Sequence, residues 1–150
     1  RGIAAPRNGT FAYVINQGDG SISRIDMDDD AVTELAAGLI DDGETPAQTA
    51  RRELLEETGL EARSVQPLCA FLTTPGLTDE VLHLYYAEVD ASDLREEAGL
   101  AGESEQTFPF MLSLEEAMKA LDDNAIYNGI VMIGLMWFSR NRDQLVSNIA

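Results

Sequence analysis

The segment from Thr45 to Gly59 carries the signals for both ends of one helix, and no other feature of the sequence constrains the fold as strongly. Thr45 suits the N-cap, Pro46 suits the first helical position, and Gln48 completes a capping box. Gly59 supplies the C-terminal stop. A glycine- and aspartate-rich loop, Gly38–Glu44, precedes the helix. The sequence therefore predicts a loop followed by a helix of known start and end.

Three carboxylates lie on one face of this predicted helix. Glu53, Glu56 and Glu57 stand at i, i+3 and i+4, beside an apolar stripe that includes Ala50 and Leu54. Like charges at this spacing destabilise a helix by about 0.2–0.5 kcal/mol per pair. Hard divalent cations remove that repulsion, because Mg²⁺ prefers carboxylate and carbonyl oxygens. Taken alone, the pattern permits either a metal site or an ordinary solvated acidic face.

A wider pattern in the same segment favours the metal site. Its fixed positions are Gly38, Glu44, Arg52-Glu53-Leu54, Glu56-Glu57 and Gly59-Leu60. Every one of them resembles the signature of the Nudix hydrolases. The resemblance implies a loop–helix–loop that binds Mg²⁺ or Mn²⁺, as two or three ions, and supports hydrolysis of a nucleoside diphosphate linked to another group.

The resemblance also implies a role for each matching residue. Glu53 and Glu57 would be the principal metal ligands, with Glu56 and the backbone carbonyl of Ala37 as further ligands. Arg52 would orient the glutamates through charge-assisted hydrogen bonds. Glu44 would support the loop or a metal-bound water, while Gly38 and Gly59 would let the chain turn where a Cβ would obstruct it.

A downstream segment, Thr74–Glu80, resembles one that marks the ADP-ribose pyrophosphatase branch of this family. Pro75 lies 16 residues after Gly59, where that branch carries its marker proline. The resemblance implies that Pro75, Gly76 and Glu80 line the substrate pocket or support the metal cluster. The alternative is a simple turn between two strands, for which Pro-Gly is ordinary.

An acidic loop before the last predicted strand provides the candidate general base. By position, the resemblance makes Glu103 the base and Glu105 a further metal ligand, with Glu96 and Glu97 as rivals and Glu56 next in line. A base on a loop that closes over substrate can exclude bulk water. Arg24 is the nearest candidate for the phosphate-binding arginine of the branch, although its surroundings do not match.

Apolar runs and turn signals predict the rest of the fold. Strands are expected at Phe11–Asn16, Ser21–Asp26, Ala31–Ala36, Val65–Thr73, Leu82–Val89 and Phe108–Ser113. A second capping box, Ser113 with Glu116, predicts a helix to about Asp122. A final helix is expected from Asn124 or Asn128 to about Arg142. The length fits one domain over 1–150, with short N-terminal strands in 1–36 and the signature in 38–60. The fold class is α/β, a Nudix-type α/β/α sandwich with a mixed β-sheet.

Charge and composition limit the partners. The chain has 27 acidic and 10 basic residues, for a net charge of −17. Such a charge disfavours nucleic acid or an anionic membrane as partner, and an anionic substrate then needs a cation to mediate its binding. Cys69 is the only cysteine, which excludes an internal disulfide. We expect a cytoplasmic protein and a homodimer.

These features together predict a metal-dependent hydrolase of nucleoside diphosphate sugars. ADP-ribose is the first candidate, and its products would be AMP and ribose 5-phosphate. UDP-glucose and GDP-mannose are alternatives within the class. A catalytically silent Nudix-fold binding module is the alternative from a different class.

Overall fold

The computed structural model describes residues 8–16, 33–94 and 108–147. The strands are β1 (Asn8–Asn16), β2 (Ala36–Leu39), β3 (Ala62–Leu72) and β4 (Val81–Val89). The helices are α1 (Pro46–Thr58), α2 (Leu114–Asp122) and α3 (Gly129–Ser147), with a 3₁₀ turn at Ala91–Asp93. None of the described helices has the length and hydropathy that a membrane span requires.

The described strands form one mixed sheet in the order β2-β1-β4-β3. Strands β1 and β4 pair in parallel, from Asn8 opposite Val81 to Asn16 opposite Val89. The two outer pairings are antiparallel. The predicted mixed sheet is therefore confirmed.

Strand β4 divides the core because its side chains alternate between the two faces of the sheet. Leu84 and Tyr86 pack with buried residues of α2 and α3, and the rings of Tyr86 and Phe138 stack with centroids 6.0 Å apart. Tyr85 and Ala87 pack on the other face, against Leu54 of α1. Helices thus cover both faces of the sheet, and the predicted α/β/α sandwich is confirmed.

Several predicted bounds need correction. The strand expected at Ala31–Ala36 is β2, which begins at Ala36 and includes Gly38, because this stretch pairs with β1. Residues 108–113 form no strand. Pro109 has no N–H for a strand ladder, and Ser113 is instead the N-cap of α2.

The last helix is longer than expected. It starts after Asn128, whose side-chain oxygen accepts the N–H of Ile130 at 2.9 Å, and it runs to Ser147. Asn124 has a positive φ of 57° and lies in the turn between α2 and α3. The strand expected at Ser21–Asp26 lies outside the described residues.

Candidate active site

Helix α1 has both ends fixed by its own sequence, which sets the direction of its carboxylates. The Thr45 N–H donates to the Gln48 side-chain oxygen at 2.8 Å, and the Gln48 N–H donates to the Thr45 hydroxyl. At the other end Gly59 has φ 71°, and its N–H donates to the Leu55 carbonyl. The predicted capping box and glycine stop are confirmed.

The Arg52 guanidinium holds the loop that precedes the helix. Its Nε and Nη2 donate to the two carboxylate oxygens of Glu44, both at 3.1 Å. A fork of this kind is the strongest arrangement of a charge-assisted hydrogen bond. The Glu44 N–H in turn donates to the Asp41 carbonyl at 3.0 Å. The loop is therefore tied to the middle of α1.

The other side of the same guanidinium faces the helix carboxylates. Nη1 donates to Glu53 Oε1 at 2.6 Å and to Glu56 Oε2 at 3.1 Å. Nη2 also donates to the Leu39 carbonyl at 3.1 Å. Arg52 thus lies between the carboxylates and offsets the repulsion that their spacing would otherwise cause.

Gly38 leaves room for Glu53 rather than forming a turn. A Cβ built on Gly38 would lie 1.7 Å from Glu53 Oε1 and 2.0 Å from its Cδ. Gly38 lies inside β2, and its φ is not positive, whereas that of Gly59 is. The turn explanation from the sequence holds for Gly59 and is wrong for Gly38, where the close approach of a side chain requires glycine.

Glu57 lies against the same strand, one residue away. Its Oε1 accepts the N–H of Ala37 at 3.2 Å. In a strand, the N–H and C=O of one residue point to the same side of the chain. The Ala37 carbonyl is therefore on the side of β2 that Glu57 approaches. The carboxylates of Glu53 and Glu57 both lie against this short strand segment.

Hydrogen bonding and burial shift the pKa values of two glutamates in the cluster in opposite directions. The hydrogen bonds from Arg52, and then from Thr49, lower the pKa of Glu44 from 4.5 to about 2. Burial raises the pKa of Glu53, although Arg52 acts against it. The hydrogen bond to Glu44 raises the pKa of Arg52, which keeps the guanidinium charged. Glu44 is thus held as an anion, while Glu53 lies in a less polar place.

The residues of the cluster fit a hard divalent cation by their chemistry. Glu53, Glu56, Glu57 and the Ala37 carbonyl offer only oxygen donors, which Mg²⁺ and Mn²⁺ prefer. Among residues 33–94 and 108–147, no three acidic, histidine or cysteine side chains already stand together as a closed ligand set. Arg52 Nη1 lies between two of the carboxylates and pairs with both Glu53 and Glu56.

The segment expected to contact substrate connects β3 to β4. Pro75 and Gly76 are exposed in a turn, and Glu80 accepts the Thr73 hydroxyl at 2.6 Å. The register places Leu39, where the loop before α1 begins, in the same cross-sheet row as Leu82. Both loops therefore leave the same end of the sheet. The hydrogen bond between Glu80 and Thr73 is local to this connection and involves none of the α1 carboxylates.

The remaining predicted residues lie outside the described part of the chain. These are Arg24, Glu103 and Glu105, together with the rivals Glu96 and Glu97.

One residue of the cluster was missed by the sequence reasoning. Thr49 is fully buried, and its hydroxyl donates to Glu44 Oε2 at 2.7 Å. A threonine five residues after a fixed glutamate was the available signal. It was overlooked because a threonine inside a helix usually bonds the backbone of the preceding turn.

Comparison with known proteins gives an independent view of the chain. A family model described as NUDIX domain matches residues 6–131. The ADP-ribose pyrophosphatase of Escherichia coli (strain K12) is 35% identical over 112 residues, which are 75% of this chain and 54% of that protein. The ADP-ribose pyrophosphatase of Bacillus subtilis (strain 168) is 38% identical over 97 residues, or 65% and 51% of the two chains.

A relative with a different name matches at a similar level. The methanol dehydrogenase activator of Bacillus methanolicus is 36% identical over 109 residues, 71% of this chain and 57% of that protein. The chain spans about half the length of these curated relatives.

Proposed function

This chain belongs to the Nudix family, and we propose that it hydrolyses the diphosphate bond of a nucleoside diphosphate sugar, with ADP-ribose as the first candidate. The observation that carries the proposal is the carboxylate cluster of α1, with Glu53 held against Gly38 and Glu57 against Ala37. The names of the E. coli and B. subtilis relatives support the choice of substrate.

Four oxygen donors would hold the divalent cations that the reaction requires. Glu53 and Glu57 would be the principal ligands, with Glu56 and the Ala37 carbonyl as further ligands. When bound, such cations would supply charge neutralisation of the diphosphate and activation of the attacking water. The cations also explain how a chain with a net charge of −17 handles an anionic substrate.

The protein side of the reaction is orientation and proton transfer. Arg52 holds Glu53 and Glu56 in place through Nη1 while its other nitrogens are tied to Glu44. Glu103 accepts the proton of the attacking water, and Glu105 adds a ligand. The loop that contains Pro75, which leaves the same end of the sheet as the loop before α1, contacts the sugar or the metal cluster.

Product analysis over a panel of sugar nucleotides tests the proposal. ADP-ribose, UDP-glucose and GDP-mannose are incubated with Mg²⁺, and the released monophosphate is measured by chromatography. We expect AMP and ribose 5-phosphate in equal amounts from ADP-ribose and one water. Faster release from UDP-glucose or GDP-mannose would make that sugar nucleotide, and not ADP-ribose, the preferred substrate. No turnover of any member with Mg²⁺ or Mn²⁺ would refute the hydrolase and leave a binding module.

Two variants connect that activity to the cluster. Glu53→Gln keeps the shape of the side chain and removes its charge, so we expect turnover to fall and to require more Mg²⁺. Glu115→Gln is the matched control, because Glu115 is an exposed acid in the first turn of α2. Equal rates for the two variants would show that the activity does not depend on the proposed site.

The general base has a test of its own. If Glu103 accepts the proton, Glu103→Gln lowers kcat by about 10²–10⁴-fold and leaves metal affinity nearly unchanged. Glu105→Gln should instead raise the Mg²⁺ concentration at half-maximal rate. Near-normal rates in both variants at low Mg²⁺ would make Glu96, Glu97 or Glu56 the next candidate for the general base.

A further inference from the structure

Two buried threonines of α1 satisfy their hydroxyl groups in different ways. Thr58 follows the usual pattern, since its hydroxyl donates to the Leu54 carbonyl of the preceding turn at 2.5 Å. The equivalent contact of Thr49, to the Thr45 carbonyl, is 3.4 Å long. Its hydroxyl instead donates to Glu44 Oε2 at 2.7 Å. Thr49 therefore uses its only donor on a side chain outside the helix.

The oxygen that Thr49 bonds also belongs to the Arg52 fork. Glu44 Oε2 accepts from Thr49 Oγ1 and from Arg52 Nη2, and Oε1 accepts from Arg52 Nε. With both oxygens bonded, the Glu44 carboxylate has little freedom to turn. Thr49 is fully buried, so its hydroxyl has no water to bond in place of Glu44.

The contacts continue from Arg52 to two of the proposed metal ligands. Nη1 donates to Glu53 and Glu56, so any rotation of the guanidinium moves both of these bonds. Thr49, Glu53 and Glu56 stand at i, i+4 and i+7, which places them along one stripe of α1. The chain of contacts runs from Thr49 to Glu44, to Arg52 and then to the ligands.

We propose that Thr49 is a positioning residue for the metal site, acting through Glu44 to set the orientation of Arg52 and so of Glu53 and Glu56. The inference rests on the metal site proposed above, and it adds a residue to which no role has been assigned. Thr49 itself touches neither cation nor substrate.

Three variants separate the hydroxyl from the packing of the side chain. Thr49→Val keeps the branched shape and removes the hydroxyl, whereas Thr49→Ser keeps the hydroxyl and removes the methyl. Thr58→Val is the matched control, because it removes the other buried hydroxyl of the same helix without touching Glu44.

The first readout is Mn²⁺ binding by calorimetry, without substrate. We expect Thr49→Val to raise the dissociation constant about tenfold, the lower end of the loss that follows removal of a group that orients ligands. Thr49→Ser should bind as the unmodified protein does. Thr58→Val should lower the melting temperature and leave Mn²⁺ affinity unchanged.

The second readout uses the metal-free protein. The Glu44 carboxyl is titrated by NMR, with Arg52 as the charged group that faces it and Asp41 as a second carboxylate paired with the same Arg52 nitrogen. Thr49→Val should move this titration to higher pH and speed the solvent exchange of the Arg52 Nε proton. A failure of the proposed hydrolase activity leaves this readout intact, so the two claims can fail separately.

The proposal is overturned if Thr49→Val binds Mn²⁺ normally, or if Thr49→Ser loses affinity equally, since packing would then be responsible. It is also overturned if Thr58→Val has the same effect on Mn²⁺. Should Thr49→Val not fold, the unmodified protein decides: the Thr49 hydroxyl proton must be protected from exchange and close to the Glu44 carboxyl. A rapidly exchanging hydroxyl proton would refute the chain of contacts from Thr49 through Glu44 to Arg52.

Discussion

The contact between Gly38 and Glu53 shows how a single missing side chain shapes this site. The signature identified Gly38 from the sequence, but its physical reason came only from the packing of α1 on β2. Sequence spacing placed Glu53, Glu56 and Glu57 on one face of the helix. The resemblance implied that Arg52 would orient the glutamates, but not that its contacts would be to Glu53 and Glu56, because side-chain directions depend on the neighbouring strand and loop.

Gly38→Ala should leave the fold intact and damage the site. The new methyl would lie 1.7 Å from Glu53 Oε1, and the flexible end of Glu53 can move away at little cost to stability. A ligand displaced by an ångström or more is expected to lower kcat/KM by about 10²-fold. Steady-state kinetics with Mg²⁺ and thermal melting check both parts.

Gly129→Ala is the control for this substitution. A Cβ at Gly129 would have no neighbour within 4 Å, so neither activity nor melting temperature should fall. Unchanged kinetics in Gly38→Ala would contradict the close approach of Glu53.

Glu44 should make stability depend on pH in an identifiable window. Its pKa is lowered by Arg52 from 4.5 to about 2 in the folded protein. A group with a lowered pKa stabilises the fold fully above its unfolded value, and this contribution is lost as the pH falls toward its folded value. The stability difference between the unmodified protein and Glu44→Gln should therefore be largest above pH 4.5 and shrink toward pH 2.

Urea unfolding at several pH values measures this difference directly. Glu115→Gln serves as the control, because Glu115 is exposed on α2. A difference that stays constant from pH 5 to pH 2 would show that Glu44 is not held by the Arg52 fork.

At the scale of elements, the helices with capping boxes were the most predictable part. Thr45 with Gln48 and Ser113 with Glu116 each mark a helix start that the structure confirms. Local side-chain-to-backbone bonds make these ends readable from a few neighbouring residues. The strand predicted at Phe108–Ser113 was wrong, because an apolar run does not reveal whether a partner strand is present.

The two boxes give a matched pair of stability predictions. Thr45→Ala and Ser113→Ala each remove a hydroxyl that accepts the N–H of the third helical residue. Each should lower the free energy of unfolding by about 0.5–2 kcal/mol. Chemical denaturation measures the loss. Neither should change kcat in native buffer, since Arg52 and Glu53 lie deeper in α1 and are held by tertiary contacts. A loss of stability in only one of the two variants would contradict the shared mechanism.

At the scale of the whole molecule, the layered α/β/α arrangement followed from the alternation of strands and helices. The strand order did not, because the parallel pairing of β1 with β4 joins residues far apart in sequence. This pairing bears on the proposed site, because it puts the loop before α1 and the β3–β4 loop at one end of the sheet. The expected homodimer stays a prediction, which sedimentation analysis can test.

The central claim is that the carboxylates of α1 bind divalent cations. Calorimetric titration of Mn²⁺ into the metal-free protein tests it most directly, with Glu57→Gln and the control Glu115→Gln alongside. We predict binding to the unmodified protein and to Glu115→Gln, and a dissociation constant raised more than about tenfold in Glu57→Gln, since even groups that only orient ligands cost about 10–100-fold. Absence of Mn²⁺ binding, or equal affinity in the two variants, would contradict the account.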